Sequence, residues 1–464
     1  MNNTNITKKL FICGIASIAV SAFGQSADFD ANGTTVNVVD GTVIDTSYTY
    51  GILARNDGTA TVGDNVVINL GDAANPKAQT THAVVAGGST TKFAIIHIGD
   101  NLNIIGYGID ATDLTGLRSS VPSAEIYVGN GLNIRLNGDN TNGAAAASAA
   151  KMDLGTNAYI QVGGVAVNVQ NNAVMRGSQG TFIANGKGEL SGIAMSVGVS
   201  DVIFTDSNFI GRQAGLKLAA SGANAIDEGM TGSLVFNGGS IYASHGAAIA
   251  SIKSSSTASV PYEINHDVTL KGGIYVHSGV GLLYENSNTD SSIGLGIVTI
   301  TSEGSDTILE GRFNDSVSNV ETFFSITDNS TWNSEGSSNI DHLNLDNANL
   351  GLTLTETGDA ITVGEMTTNG SNNMTIDFSN DFLNEIMDGF LFDVDTAIII
   401  GSGEKDNINY IIADKNNDGS TWDVTDNLDG TYTISNINVV PEPGTYAAIF
   451  GTLALLIAVY KRRK

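Results

Sequence analysis

Cysteine is almost absent from this chain of 464 residues, which contains a single one, Cys13. One thiol cannot form an intramolecular disulfide, and Cys13 lies in an N-terminal apolar run that we expect to be removed. Proline occurs five times, and aromatic residues make up 7% of the chain. We therefore expect a folded protein without disulfides or thiol chemistry, stabilised by aliphatic packing and hydrogen bonds.

Basic residues are also few, because Lys and Arg number 21 against 48 Asp and Glu, which gives a net charge of −27. This charge disfavours nucleic acid as a partner, since nucleic acid requires basic surface, and it also disfavours anionic lipid. It favours solubility, and acidic surfaces outside the cell often collect Ca²⁺. The alternative is that the charge is only a solvated surface.

The first 24 residues have the pattern of a secretory signal peptide. Lys8 and Lys9 form a positive region, Leu10–Val20 is apolar, and Ala22–Gly24 is a small-x-small cleavage site. Signal peptides carry these three parts in this order. We predict that residues 1–24 are removed and that the protein is exported through the inner membrane.

The remainder is rich in Gly, Asn, Thr, Ser, Val and Ile, with apolar residues alternating at a period of two. That composition and period indicate an all-β protein with many turns. A body of about 415 residues normally forms two or more domains, but a solenoid forms one body because each coil contacts only its neighbours. We predict a right-handed parallel β-helix, or β-solenoid, with a small β-rich C-terminal cap.

A repeated motif in the N-terminal half supports the solenoid. Four segments, 61–68, 97–104, 127–134 and 161–169, share an apolar-Gly start, and their glycines (Gly63, Gly99, Gly129 and Gly163) lie 36, 30 and 34 residues apart. The motif predicts two strands joined by a Gly-Asp or Gly-Asn pair in left-handed conformations. One unit cannot bury its apolar face alone, so units should stack. Looser copies place Phe204 over Phe236, and 296–300 is a last copy; loops of unequal length should project from one side.

The character of the chain changes near Asn329, so we divide the body into a repeat region, 25–328, and C-terminal rungs with a cap, 329–440. Trp332-Asn333, followed by the Leu-rich segment 340–352, resembles the rungs near the C-terminus of autotransporter passenger domains, which are β-helices. Further on, we predict a helix over 381–392, buried strands at 397–400 and 410–413, and a hairpin over 422–437 turned at 427–430. These elements should close the open end of the solenoid.

The last 24 residues, 441–464, have three consecutive parts. Pro441, Glu442 and Pro443 come first, an uncharged apolar run follows, and the chain ends on four basic residues, Lys461, Arg462, Arg463 and Lys464. The apolar run would form a helix of roughly 24 Å, slightly short of a bilayer span, and the basic end should stay on the cytoplasmic side.

This tail closely resembles the PEP-CTERM sorting signal of Gram-negative bacteria. The resemblance implies a membrane-anchored precursor with a C-terminal transmembrane helix, recognition of 441–443 by an exosortase at the inner membrane, and removal of the tail. Delivery to the cell surface or extracellular matrix would follow. A plain C-terminal membrane anchor is the alternative.

One segment matches the opening of a Ca²⁺-binding loop. Asp414, Asn416 and Asp418, followed by Gly419, fit the pattern D-x-N-x-D-G, in which alternate oxygens surround the cation. The twelfth position is Thr425 where such loops carry Glu. An Asx-rich turn is the alternative, and we expect no other cofactor.

The sequence contains no catalytic motif that we can assign. Ser244-His245-Gly246 faintly resembles a segment of polygalacturonases, but the chain has no Asp-Asp pair to act as acid and base, and its basic residues are too few for a polysaccharide lyase. The six histidines show no ligand spacing. We therefore expect a non-enzymatic surface or matrix protein acting in adhesion, biofilm formation or exopolysaccharide association. The alternatives are a polysaccharide hydrolase or lyase and an inert architectural spacer.

Overall fold

The computed structural model describes residues 27–77, 79–108, 113–188, 191–219, 231–252, 265–286, 296–315, 320–386, 389–413 and 422–436. In these ranges the chain is almost entirely β, with one 37-stranded sheet and one 3-stranded sheet. Helix in the same ranges is limited to α1 (Asn380–Glu385) and a 3-10 turn at Val394–Thr396. None of the described helices is long and apolar enough to cross a membrane.

The strands of the first half of the body are short, as the alternating pattern and frequent turn residues predict. In chain order they are β1 (Ala27–Asn32), β2 (Thr35–Val38), β3 (Val43–Asp45), β4 (Tyr50–Arg55), β5 (Gly58–Val62), β6 (Val67–Leu70), β7 (Thr81–Ala86), β8 (Ala94–Ile98), β9 (Asn103–Tyr107), β10 (Leu114–Ser119), β11 (Ala124–Val128), β12 (Asn133–Asn137), β13 (Thr141–Ala146), β14 (Lys151–Thr156), β15 (Tyr159–Val162), β16 (Val165–Val169), β17 (Val174–Ser178), β18 (Thr181–Ala184) and β19 (Ile193–Val197).

Several strands of the second half are longer. They are β20 (Asp201–Gly211), β21 (Ala214–Ala219), β22 (Gly232–Ala243), β23 (Ile249–Ile252), β24 (His266–Lys271), β25 (Tyr275–Ser278), β26 (Leu282–Asn286), β27 (Gly296–Glu303), β28 (Ile308–Glu310), β29 (Arg312–Asn314), β30 (Val320–Thr327), β31 (Thr331–Glu335), β32 (Ser338–Asp346), β33 (Asn349–Leu354), β34 (Ile361–Asn369), β35 (Asn372–Phe378), β36 (Phe390–Asp393), β37 (Ile398–Gly403), β38 (Ile408–Ile412), β39 (Trp422–Asp426) and β40 (Thr431–Asn436).

The large sheet is wound as a solenoid, because each coil adds one parallel strand to each of three ladders. The first ladder begins β1, β4, β7 and continues to β26 and β29; the second begins β2, β5, β8 and continues to β27 and β30; the third begins β3, β6, β9 and continues to β35 and β38. β20 and β22 each serve the second and third ladders. The ladders continue without a break across residue 329.

The core is a set of stacked columns of inward-facing side chains. In the third ladder one column is formed by residues that lie in register and are at most 2% exposed: Ile68, Ile104, Ile134, Ile160, Phe182, Phe209, Ile241, Val276, Leu309, Trp332, Leu350 and Met374. Burying one such side chain contributes about 1.5–3 kcal/mol. The aliphatic core predicted from the cysteine-free composition is therefore confirmed.

The repeated turn is confirmed at its first three copies, but its left-handed residue is not the one predicted. Positive φ occurs at Asn65 (55°), Asn101 (58°) and Gly131 (76°), one position after the Gly-Asp or Gly-Asn pair. The pair has a different role, since Asp64 Oδ1 accepts a 2.8 Å hydrogen bond from the backbone N–H of Asp100 in the next coil. A Cβ at Gly99 would lie 2.3 Å from that oxygen, so glycine is required for space.

The fourth copy of the motif is wrong. Residues 61, 97 and 127 lie in register in the second ladder, but 161 belongs to β15 of the third ladder, where it pairs with Arg135. Because strands of every ladder begin and end at similar turns, sequence alignment did not separate the ladders. The looser copies are confirmed, since Phe204 pairs with Phe236 and Val298 with His266.

At the C-terminal end the predictions hold in part. The helix is shorter than 381–392, because α1 ends at Glu385 and β36 begins at Phe390. The hairpin is confirmed as β39 and β40, which form an antiparallel sheet with β36. Strands β37 and β38 exist, but they are not buried as predicted: Ile399 is 52% and Ile411 43% exposed, because only one face of these strands meets the core.

Unequal coil length is concentrated at one corner, where the chain passes from the first to the second ladder; we call it the first corner. Four gaps between the described ranges, 220–230, 253–264, 287–295 and 316–319, each follow a first-ladder strand and precede a second-ladder strand. The prediction that variable segments enter on one side agrees with this arrangement.

Candidate functional site

The inward column at the end of the first ladder changes from apolar to polar at the first corner. Earlier coils place Val169, Val197 and Leu218 in this column, and all three are fully buried. The next three coils place Ser251, Asn286 and Asp315 there, and the following coil returns to Ile340. Buried polar groups cost stability unless they are hydrogen-bonded, so this interruption of the core marks a candidate site.

Five side chains make up what we call the acidic cluster: Tyr284, Asn286, Asp315, Thr322 and Asp341. They come from β26, from the end of β29, from β30 and from β32, which stacking brings together at the first corner. Asn286 Nδ2 donates a 3.0 Å hydrogen bond to Asp315 Oδ1, and the backbone N–H of Thr322 donates a 3.1 Å bond to Asp341 Oδ2. The hydroxyls of Tyr284 and Thr322 lie 3.3 Å apart.

Burial dominates the electrostatics of the cluster. It raises the pKa of Asp315 to about 7; hydrogen bonds from Thr322 and Asn286 lower this pKa, whereas the charge of Asp341 raises it. Burial also raises the pKa of Tyr284, and the charge of Asp315 adds to the effect. Asp315 is only 9% exposed and its Oδ2 has no hydrogen-bond partner among the described residues. No described cation forms an ion pair with Asp315 or Asp341.

The two carboxyl groups are close enough for one to hydrogen bond to the other. Glycosidases hold their two carboxyls about 5–5.5 Å apart when they retain configuration and about 6.5–9.5 Å apart when they invert it. A direct contact leaves no room for a sugar or a water between the groups. The arrangement is suited to holding one proton between two carboxyls, since two adjacent charges cannot both persist at low cost.

Sequence reasoning missed this pair because Asp315 and Asp341 are 26 residues apart. A search for adjacent aspartates cannot find groups that meet only through stacking. The signal that was available is the polar interruption of an apolar column, and reading it requires the register of the coils.

The polygalacturonase-like His245 is not brought to the acidic cluster. It is exposed, and its Nδ1 lies 2.8 Å from the hydroxyl of Ser244, between β22 and β23. This places His245 where the chain passes from the third ladder to the first, whereas the cluster lies where it passes from the first to the second. The two groups cannot act together on one bond.

The other histidines are spread over the three faces. His97 stacks on Tyr127 (5.4 Å), His277 on Tyr275 (4.2 Å), and His342 on Phe323 (4.1 Å), each on an outer face. His82 and His266 are buried, and burial lowers the pKa of each to about 4. The described ranges contain no group of three or more His, Asp or Glu side chains placed to hold a metal ion.

The site residues predicted from the sequence lie elsewhere in the chain. The sorting motif Pro441, Glu442 and Pro443, the basic residues at 461–464 and the Ca²⁺ ligands Asp414, Asn416 and Asp418 all fall outside the described residues. These assignments stay predictions.

Comparison with known proteins adds no family to these observations. No family model matches the chain, and a search of curated proteins finds no match.

Proposed function

We propose that this chain is an exported structural or adhesion-like protein of the cell surface or extracellular matrix. The observation that carries the proposal is the unbroken stacking of three parallel ladders, which makes a rigid body roughly 60 Å long at 4.7–4.9 Å per coil. A body of this kind supplies length and extended faces. We also expect the coil to be right-handed, as crossovers between parallel strands nearly always are.

Polar side chains stack from coil to coil on the outside and support this role. Asn101 Nδ2 donates to Asn65 Oδ1 at 3.2 Å, and Asn133 Nδ2 donates to Asn103 Oδ1 at 2.9 Å. Each bond joins residues one coil apart, so the outer surface is held in register as well as the core. Such ladders stiffen a solenoid whose coils otherwise contact only their neighbours.

The small C-terminal sheet fits the role of a cap. Phe392 and Ile434, from β36 and β40, are buried in the same hydrophobic cluster as the solenoid core. Phe392 packs edge-on against Phe378 of β35, with ring centroids 5.7 Å apart. We infer that this sheet covers the last coil, whose exposed strand edges would otherwise pair with other chains.

Sorting by an exosortase is the second part of the proposal, and it rests on the tail 441–464. The test is mass spectrometry of the C-terminus of secreted material from strains with and without the processing enzyme. We expect a C-terminus upstream of Tyr446 only when the enzyme is present. The triple variant Pro441→Ala, Glu442→Ala, Pro443→Ala should abolish processing, while Thr445→Ser should not. An intact tail on secreted protein from both strains would refute sorting and leave a plain anchor.

Adhesion and an inert spacer differ in whether the body binds anything. Purified protein should be retained on exopolysaccharide from the producing cells and released by excess soluble polysaccharide. Absence of retention at any salt concentration would favour the spacer. For a hydrolase or lyase, turnover of acidic or neutral polysaccharide that disappears in Asp315→Asn would overturn the non-enzymatic proposal.

A further inference from the structure

The acidic cluster serves no purpose in a purely architectural body. Three core positions in successive coils are polar where their neighbours above and below are Leu218 and Ile340. Asp315 Oδ2 is an orphaned acceptor on a side chain that is more than nine-tenths buried. A carboxylate in that position is costly, whereas a protonated carboxyl can donate to a neighbouring acceptor.

The acceptor at hand is the carboxylate of Asp341. Its Oδ2 is already held by the backbone N–H of Thr322, so the group is fixed in place on β32. Asp315 is fixed in turn by Asn286 through Oδ1, which leaves Oδ2 as the atom without a partner. A single proton on the pair satisfies Oδ2 and removes the repulsion between the two groups.

We propose that Asp315 and Asp341 share one proton and that loss of this proton loosens the first corner, so that this part of the solenoid opens as pH rises. This device goes beyond the structural role and does not depend on the sorting tail.

The surroundings offer nothing that would neutralise a second negative charge. Tyr284 from β26 is the other titratable group that faces Asp315, and burial keeps it a phenol. Thr322 from β30 and Ser251 from β23 contribute uncharged hydroxyls. Glu285 and Arg312 occupy the alternate strand positions, which point away from the core. Among the described residues the pair therefore has only the proton to balance its charge.

The direction of the effect follows from linkage. The pKa of Asp315 is about 7 in the folded protein against 3.8 in an unfolded chain. A raised pKa means that the stabilising proton is retained by both states below about pH 4, and that stability falls as pH rises from there to about 7. Each pH unit in this window shifts the closed-to-open ratio up to tenfold.

The test is hydrogen exchange of backbone amides in 282–286, 312–315 and 338–346 between about pH 5 and pH 8, corrected for the intrinsic rates. In the wild type we expect the opening equilibrium to increase on the order of a hundredfold over this range. Asp315→Asn keeps the size of the side chain and removes the charge, so it should be flat. Asp267→Asn, on the exposed face of β24, is the matched control and should behave as the wild type.

A second measurement does not depend on any variant. Infrared difference spectra between about pH 5.5 and pH 8 should show the C=O stretch of one protonated carboxyl that disappears at the higher pH. Its absence from the wild type, or a pH-independent opening equilibrium, would overturn the proposal. A pH response in Asp315→Asn equal to that of the wild type would do the same.

Discussion

Trp332 lies inside the third ladder, and replacing it with phenylalanine tests how the coils are held together. The side chain is fully buried. Its indole Nε1–H donates a 2.9 Å hydrogen bond to the carbonyl of Gly311. Its ring meets Phe324 and Phe313 edge to face, with centroids 5.3 and 5.6 Å apart. Trp332→Phe should preserve most of the ring contacts and remove the donor.

The expected loss has two parts. Leaving the Gly311 carbonyl without its donor costs about 1–3 kcal/mol. The smaller ring leaves a cavity of a few tens of Å³, which adds about 1 kcal/mol. We therefore expect the free energy of unfolding to fall by about 2–4 kcal/mol.

The assay is urea denaturation followed by far-ultraviolet circular dichroism, because the substitution removes a tryptophan fluorophore. Thr331→Val is the control, since Thr331 is the neighbouring, partly exposed residue on the same strand, and it should change stability by less than about 0.5 kcal/mol. If Trp332→Phe costs no more than this control, the indole hydrogen bond does not hold the coils at this position.

Two further predictions concern the turn motif and the buried histidine. Gly99→Ala should lower the melting temperature, because its Cβ would lie 2.3 Å from Asp64 Oδ1 and break a hydrogen bond worth about 1 kcal/mol; an unchanged thermal melt would contradict the steric argument. His266 has a pKa lowered by burial from 6.5 to about 4, so the protein should lose stability as pH falls through that interval. His266→Gln should flatten this acid limb in urea midpoints measured against pH, and an unaltered slope would contradict it.

The solenoid could be predicted because its cause is local. Alternation of period two, frequent turn residues and a motif recurring about every 30 residues each reflect forces that act within one coil or between neighbours. The same locality limited the prediction. Gln161 matched the motif yet belongs to β15, since any strand followed by a turn resembles any other when the ladder is unknown.

Burial at the C-terminal end was overestimated for a related reason. Ile399 and Ile411 lie in apolar runs that are typical of strands buried on both faces. In the last coils only one face of each strand meets the core, so these side chains are exposed. Hydrophobic runs report an average environment and do not show where a stack of coils ends.

By itself, the sequence determined the class of fold, the dependence on aliphatic packing, the acidic surface and the hypothesis of a sorting tail, because these follow from composition and from order along the chain. The tertiary structure alone decided which residues share a column. Asp315 and Asp341 are ordinary acidic residues in the sequence and become a buried pair only through the register of stacked coils. Electrostatic coupling depends on distance in space and on burial, and neither quantity can be read from separation along the chain.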